Sequence, residues 1–293
     1  MVYQLTQEGL IKNILLAAGI ADCNGKSTPT SGEAPLGNNP YGDPDRYQTK
    51  WSYTSIIGMI MYLAFNSRLE IQFSVHECAQ FTHNYRASHE DAIIKICRYL
   101  KYTWKRGLII SPTRELHVNC YVDSYFGGLL SYEDPQYPVC ARSWSGYVVT
   151  FSNCPILWVS KLQIDISLST IHAECMALSQ SLRGFLQFKT PAKETLKGLG
   201  INTKKLKVVT QSSAFEENSG DIVLASSPRL NPTSKFICVQ YQWFRSHIDS
   251  DKNFSKPIPI NKIDGKVNPA DIFTKINSKE SEFLALRKLL CGW

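Results

Sequence analysis

Hydrophobic periodicity changes character at Gly107, and this change constrains the fold more than any other feature of the chain. Upstream, apolar residues recur at helical spacing: Trp51, Tyr53, Ile56, Ile57, Ile60, Met61 and Leu63 fall on one face. Downstream they alternate, as in Leu116–Asp123, where Val118, Cys120 and Val122 share one side of a strand. The pattern predicts a strand and helix within residues 1–22, then helices from Trp51, over 70–81, and from an N-cap at Ser88. Strands follow at 107–111, 116–123, 144–151 and 155–160, and a helix over 170–187 capped by Ser169 or Thr170, with Ala173, Met176, Ala177 and Leu178 inward. A strand at 206–215, a short helix at 218–226 and an aromatic-rich helix at 234–248 come next. A strand around 257–263, a short helix opening at Ala270–Asp271 and a helix at 279–290 close the chain.

A chain of 293 residues can bury a full core, and two domains are expected rather than one. Residues 23–50 are rich in Gly, Pro, Asn, Ser and Thr and read as a polar linker or extended surface segment. No apolar run approaches the roughly 20 residues of a membrane span, and no basic-then-apolar leader opens the sequence. The opening, Val2-Tyr-Gln-Leu-Thr, reads as a strand already under way, as if a domain preceded it. Nine cysteines without C-x-x-C spacing suggest neither a disulfide frame nor a zinc site, and point to a reduced intracellular setting. A net charge of +7 favours polyanions without proving them.

Carboxylates stand at predicted strand ends and helix starts: Asp123, Glu174, Glu217 and Asp271. Each taken singly reads as a capping or surface acid. If they converge, four hard oxygen donors suit two divalent cations, and two ions roughly 3.5–4 Å apart clamp a phosphodiester displacement. Asp221, one helical turn beyond Glu217, reads as an exposed acid that could substitute as a ligand. Lys95, Arg98, Lys101 and Lys105 lie along the helix that starts at Ser88, where a solvated basic face is the simpler account and phosphate contact the alternative. Tyr241, Trp243 and Phe244 beside Arg245 read first as core packing and second as a stacking platform for nucleic acid.

Ordered motifs add a resemblance that covers nearly the whole chain. Tyr3-Gln-Leu-Thr-Gln-Glu-Gly-Leu-Ile, Trp51-Ser-Tyr-Thr-Ser-Ile-Ile-Gly-Met-Ile-Met-Tyr-Leu-Ala, Gln80-Phe-Thr-His-Asn and Ile96-Cys-Arg-Tyr-Leu-Lys resemble the end of the reverse-transcriptase region and the following tether in the Pol polyprotein of copia-type LTR retrotransposons. Tyr121-Val-Asp-Ser-Tyr-Phe resembles the family's Y-x-D-A-D-[FW] strand, and Leu168-Ser-Thr-Ile-His-Ala-Glu-Cys its L-S-T-x-E-A-E-Y segment. Ser145-Gly-Tyr-Val-Val and Pro155-Ile-Leu-Trp-Val-Ser-Lys-Leu-Gln match the strands between them, and Ala270-Asp-Ile-Phe-Thr-Lys matches A-D-I-[LF]-T-K. The resemblance implies an α/β, RNase H-like mixed sheet flanked by helices, preceded by a mainly helical connection or thumb-like segment. Its implied boundaries are 1–22 (end of the reverse-transcriptase region), 23–50 (linker), 51–106 (connection), 107–276 (RNase H-like domain) and 277–293 (C-terminal helix).

The implied activity is hydrolysis of the RNA strand of an RNA–DNA hybrid with two Mg2+ ions, Mn2+ being a possible substitute. Asp123, Glu174, Glu217 and Asp271 are the implied catalytic metal ligands, and Lys95, Arg98, Lys101, Lys105 and Arg245 the candidate nucleic-acid contacts. An upstream polymerase domain, no membrane, and a cytoplasmic or virus-like-particle location are implied with it. The polymerase's Y-x-D-D strand is absent from this sequence. Several motif positions depart from the family: Glu217 stands where the family has Asp in D-N-x-x-A, Tyr125 replaces an acid, His172 an acid, Cys175 an aromatic, and Phe236 a His. One methylene moves a carboxylate by roughly 1.5 Å, large against magnesium's narrow ligand range. The alternative expectation is therefore a weakened or inactive remnant that folds and only binds nucleic acid.

Overall fold

The computed structural model describes residues 2–30, 35–37, 50–114, 116–130, 132, 138–200, 212–226, 241–248, 258–276 and 279–293. Its contacts divide the chain into two compact units, one of Val2–Ile110 with Gly127–Arg142 and Lys275–Trp293, the other of Ser111–Phe126 with Ser143–Thr274.

The first unit is mainly helical. Strand β1 (Tyr3–Leu5) pairs antiparallel with β2 (Leu108–Ile110), and between them lie α1 (Glu8–Ala17), α2 (Tyr53–Asn66), α3 (Gln72–Ala79) and α4 (Ala87–Tyr102). Helix α2 buries Tyr53, Ile56, Ile57, Ile60, Leu63 and Ala64, the helical stripe legible in the sequence, and Ser52 caps it by accepting the Ser55 N–H. Helix α4 begins one residue ahead of Ser88, with Arg86 as N-cap and His89 Nδ1 accepting the Arg86 N–H at 2.8 Å. The C-terminal helix Glu280–Cys291 ends on Gly292, whose φ of 83° is the left-handed cap that glycine adopts without strain.

The second unit carries the site. Strands β3 (Val118–Tyr125), β4 (Trp144–Phe151) and β5 (Cys154–Leu162) run antiparallel, and β6 (Ser212–Glu216) and β7 (Ile260–Lys262) add parallel to β3, in the order β5-β4-β3-β6-β7. This is the expected RNase H-like mixed sheet. The β4–β5 turn is two residues, Ser152 and Asn153, both at positive φ, which matches the twist of the flanking strands. Helix α5 (Thr170–Gly198) packs Ala177, Leu178, Leu182 and Phe185 with Val118, Cys120, Val122, Val149 and Ala214.

Several sequence expectations shift. Strand β3 does not end on Asp123 but continues to Tyr125, because β4 still offers Ser145 and Trp144 as partners. Helix α5 runs past 187 to Gly198 and accommodates Pro191, its last turns being rich in helix formers. The strand expected at 206–215 is described only as Ser212–Glu216, and of the aromatic helix at 234–248 only a 3-10 turn, Gln242–Phe244, and a helical turn, Arg245–Ile248, are described. Ser234–Ile237 lies outside the described residues. Helix α6 (Ser219–Ser226) follows β6, and the segment at Ala270–Asp271 is a 3-10 turn, Pro269–Phe273. No helix among the described residues is long and apolar enough to cross a membrane.

Candidate metal centre

Three of the four sequence-predicted acids meet. Ligand oxygens of Asp123, Glu217 and Asp271 lie within 4.8 Å of one another. Asp123 is held two residues inside the end of β3, where Thr274 Oγ1 donates to its Oδ2. Glu217 follows the last residue of β6, and the pairing of Tyr121 with Phe215 brings it level with Asp123. Stacking of those two rings, centroids 4.9 Å apart, supports that register.

Asp271 arrives from far along the chain and is seated by three hydrogen bonds. Asn268, fully buried, donates from Nδ2 to the Val122 carbonyl at 2.9 Å and accepts the Ala270 N–H on Oδ1 at 3.1 Å. Ser160 Oγ donates to the Phe273 carbonyl at 2.6 Å. Gly146, opposite Asp123 on β4, leaves the space that Thr274 and Phe273 occupy. None of these supports was legible in the sequence, since each joins residues more than a hundred positions apart.

Glu174 falls outside the triad. Ser169 Oγ accepts the His172 N–H at 3.1 Å and starts α5, and Gln163 donates to the Ala173 carbonyl and to Ser145 Oγ, both at 2.9 Å. Glu174 therefore comes down beside Glu216, its strongest acidic neighbour. Glu216 was not singled out, although alternation in Ser212–Glu216 places it on the inward face with Ala214. Its Oε1 accepts the N–H groups of Glu217 at 3.0 Å and Asn218 at 3.2 Å, fixing the turn that presents Glu217. Burial, then the carboxylates of Glu174, Asp221 and Asp123, raise Glu216 well above the ordinary carboxylate range. Asp221 is fully buried rather than exposed, because Asn218 Oδ1 caps α6 through the Gly220 and Asp221 N–H groups and turns the side chain inward. Burial pushes Asp221 up to about 7, against the Cys175 thiol beside it.

The basic candidates have structural partners. Arg98 Nε donates to the Asn24 carbonyl and Lys101 Nζ to the Ala21 carbonyl, both at 2.7 Å. Lys105 lies over the Trp104 ring at 4.9 Å, and Lys95 lines a cavity with Glu77 and Asp91. Arg245 donates to the Leu224 carbonyl at 2.6 Å, Phe244 is in the core, and Trp243 Nε1 donates to Ser179 Oγ. Tyr241 donates to Asp165 at 2.7 Å.

The sheet order and the carboxylates at its centre define an RNase H-like unit, and the comparisons with known proteins give its family. The chain is 27% identical over 275 residues to the retrovirus-related Pol polyprotein from transposon TNT 1-94 of Nicotiana tabacum, covering 93% of this chain and 19% of that one. It is 27% identical over 198 residues to the corresponding polyprotein from transposon RE1 of Arabidopsis thaliana, covering 68% of this chain and 12% of that one. An uncharacterized mitochondrial protein of Arabidopsis thaliana is 31% identical over 176 residues, which is 60% of this chain and 68% of its own length. The chain belongs to the copia-type, retrovirus-related Pol polyproteins and represents their C-terminal region. It spans about a fifth of the length of the tobacco relative. Among solved structures, the N-terminal RNase H domain of a Mycobacterium tuberculosis protein, fused to maltose binding protein, aligns at a TM-score of 0.32 and 14% identity over 59% of this chain and 98% of that one. No family model matches.

Proposed function

We propose that the second unit is a ribonuclease H-type nuclease, which hydrolyses the RNA strand of an RNA–DNA hybrid during reverse transcription. The observation that carries this is the approach of Asp123, Glu217 and Asp271 to within 4.8 Å on an RNase H-like sheet. The donor set is all carboxylate oxygen, with Asp123 buried, which fits hard divalent cations such as Mg2+ or Mn2+ and no softer metal. These three residues, with Glu174 bordering them, would hold the metal. Bound there, it would supply Lewis-acid activation of water and offset the charge of the reacting phosphate. The chain's own contribution is positional: Thr274 orients Asp123, Asn268 and Ser160 seat Asp271, and the Glu216 turn presents Glu217. Lys95, Arg98, Lys101, Lys105 and Arg245 are proposed as contacts to the hybrid backbone, with an upstream polymerase domain as partner in the longer polyprotein.

A second reading, a folded remnant that only binds nucleic acid, is favoured by two observations. Glu174 lies against Glu216 rather than in the triad, and the third ligand is the longer Glu217. A labelled RNA–DNA hybrid incubated with Mg2+ or Mn2+ separates them. The nuclease reading requires wild type to cleave faster than Asp123→Asn; equal rates leave only the remnant.

A further inference from the structure

We infer that Glu174, Glu216 and Asp221 form a second divalent-cation site, separate from the triad of Asp123, Glu217 and Asp271. All three acids are buried, on three different elements: Glu174 on α5, Glu216 at the end of β6 and Asp221 on α6. Glu216 acts as the hub. Its Oε1 is used by two backbone N–H groups, while its Oε2 is buried and accepts no hydrogen bond among the described residues. The side chains that act on Glu216 are all acids, namely Glu174, Asp221 and Asp123, and no lysine or arginine is among them. Clustered buried carboxylates without a cation cannot all ionise, whereas a divalent ion satisfies them and needs only one or two carboxylates plus water. Asp123 borders both groups, so an ion here would sit beside the triad's own. Its role as the second ion of a nuclease rests on the proposed function; its existence does not.

Titration of the full chain with Mn2+, with free ion counted by electron paramagnetic resonance, tests the site without reference to cleavage. Two ions are expected per wild-type chain, one in Glu216→Gln and one in Asp271→Asn. Gln at 216 keeps an oxygen for the Glu217 and Asn218 N–H groups, so the turn survives. Should Glu216→Gln melt early in metal-free buffer, Glu174→Gln carries the same expectation from a different element. A Glu216→Gln chain that binds as many ions as wild type overturns the second site. If that shared count is one, lost in Asp271→Asn, the triad and the nuclease reading stand alone. Loss of every ion from either variant makes the acids a single site and also overturns the inference. A wild type that binds none overturns both.

Discussion

Asp123 and Gly146 face each other across the β3–β4 pair, and the absence of a side chain at Gly146 is what lets Thr274 reach the acid. A Cβ at 146 would meet Thr274 Cγ2 at 2.5 Å and Phe273 Cβ at 2.8 Å. Gly146→Ala must therefore push the 270–274 segment off the sheet, carrying Asp271 away from Asp123. Overpacking of this kind costs about 1–3 kcal/mol. Urea unfolding should show that loss, and Mn2+ affinity should fall with it. Lost stability with unchanged affinity would mean that the segment does not set the metal centre.

Glu217 is confined from the far side by Gly265. A Cβ there would lie 2.5 Å from Glu217 Oε1 and 2.7 Å from Oε2, so the long carboxylate is folded against bare backbone. Gly265→Ala should displace it and weaken Mn2+ binding. Glu217→Asp withdraws the carboxylate by one methylene toward the position the family uses. Misplacement of a reacting group by about 1 Å costs on the order of 100-fold, so Glu217→Asp should raise Mg2+-supported hybrid cleavage by about that factor. No gain would place the fault elsewhere in the site.

Much of the fold was legible because local patterns encode it. Alternation in Val118–Val122 and in Trp144–Phe151 marked strands, and helical spacing in α2 and α4 marked the buried stripes. Partner-dependent features were not legible. The reach of β3 to Tyr125 depends on how far β4 extends, and Arg98 and Lys101 are occupied by carbonyls some 75–80 positions away. Of the site, the acids were visible one by one, but which of them meet was not. Inward parity in β6 could have shown that Glu216 and Glu217 point to opposite sides of the sheet. The supports at Asn268, Ser160, Gly146 and Thr274 have no local signature at all.

In the helical unit, the Arg68–Glu70 pair is fully enclosed at 2.7 Å. Arg68 Nη2 also donates to Thr103 Oγ1 at 2.6 Å, Tyr99 donates to Glu70 Oε1 at 3.2 Å, and the guanidinium lies over the Tyr99 and Trp293 rings at 5.4 and 5.5 Å. Removing one partner leaves a buried charge uncompensated, at about 3–5 kcal/mol. Arg68→Met should therefore lower the urea midpoint sharply. The double variant Arg68→Met/Glu70→Leu should recover most of the loss, because the stranded charge goes with it. A double variant as unstable as the sum of its singles would assign the effect to packing.

Glu77 gives the same unit a pH dependence of defined sign. It lines a cavity of about 180 Å³ with Ser74, Asp91 and Lys95, and accepts only a long bond, 3.4 Å, from the Leu36 N–H. Burial outweighs that bond and raises the carboxyl from 4.5 to about 8. The folded chain therefore holds a proton between those values that the unfolded chain releases. The associated stability is fully present below pH 4.5 and is lost as pH rises towards 8, at no more than about 1.4 kcal/mol per pH unit. Urea midpoints of wild type should fall between pH 5 and pH 8, and Glu77→Gln, which stays neutral throughout, should remove that part of the decline. A decline of equal size in the variant would assign it to other groups.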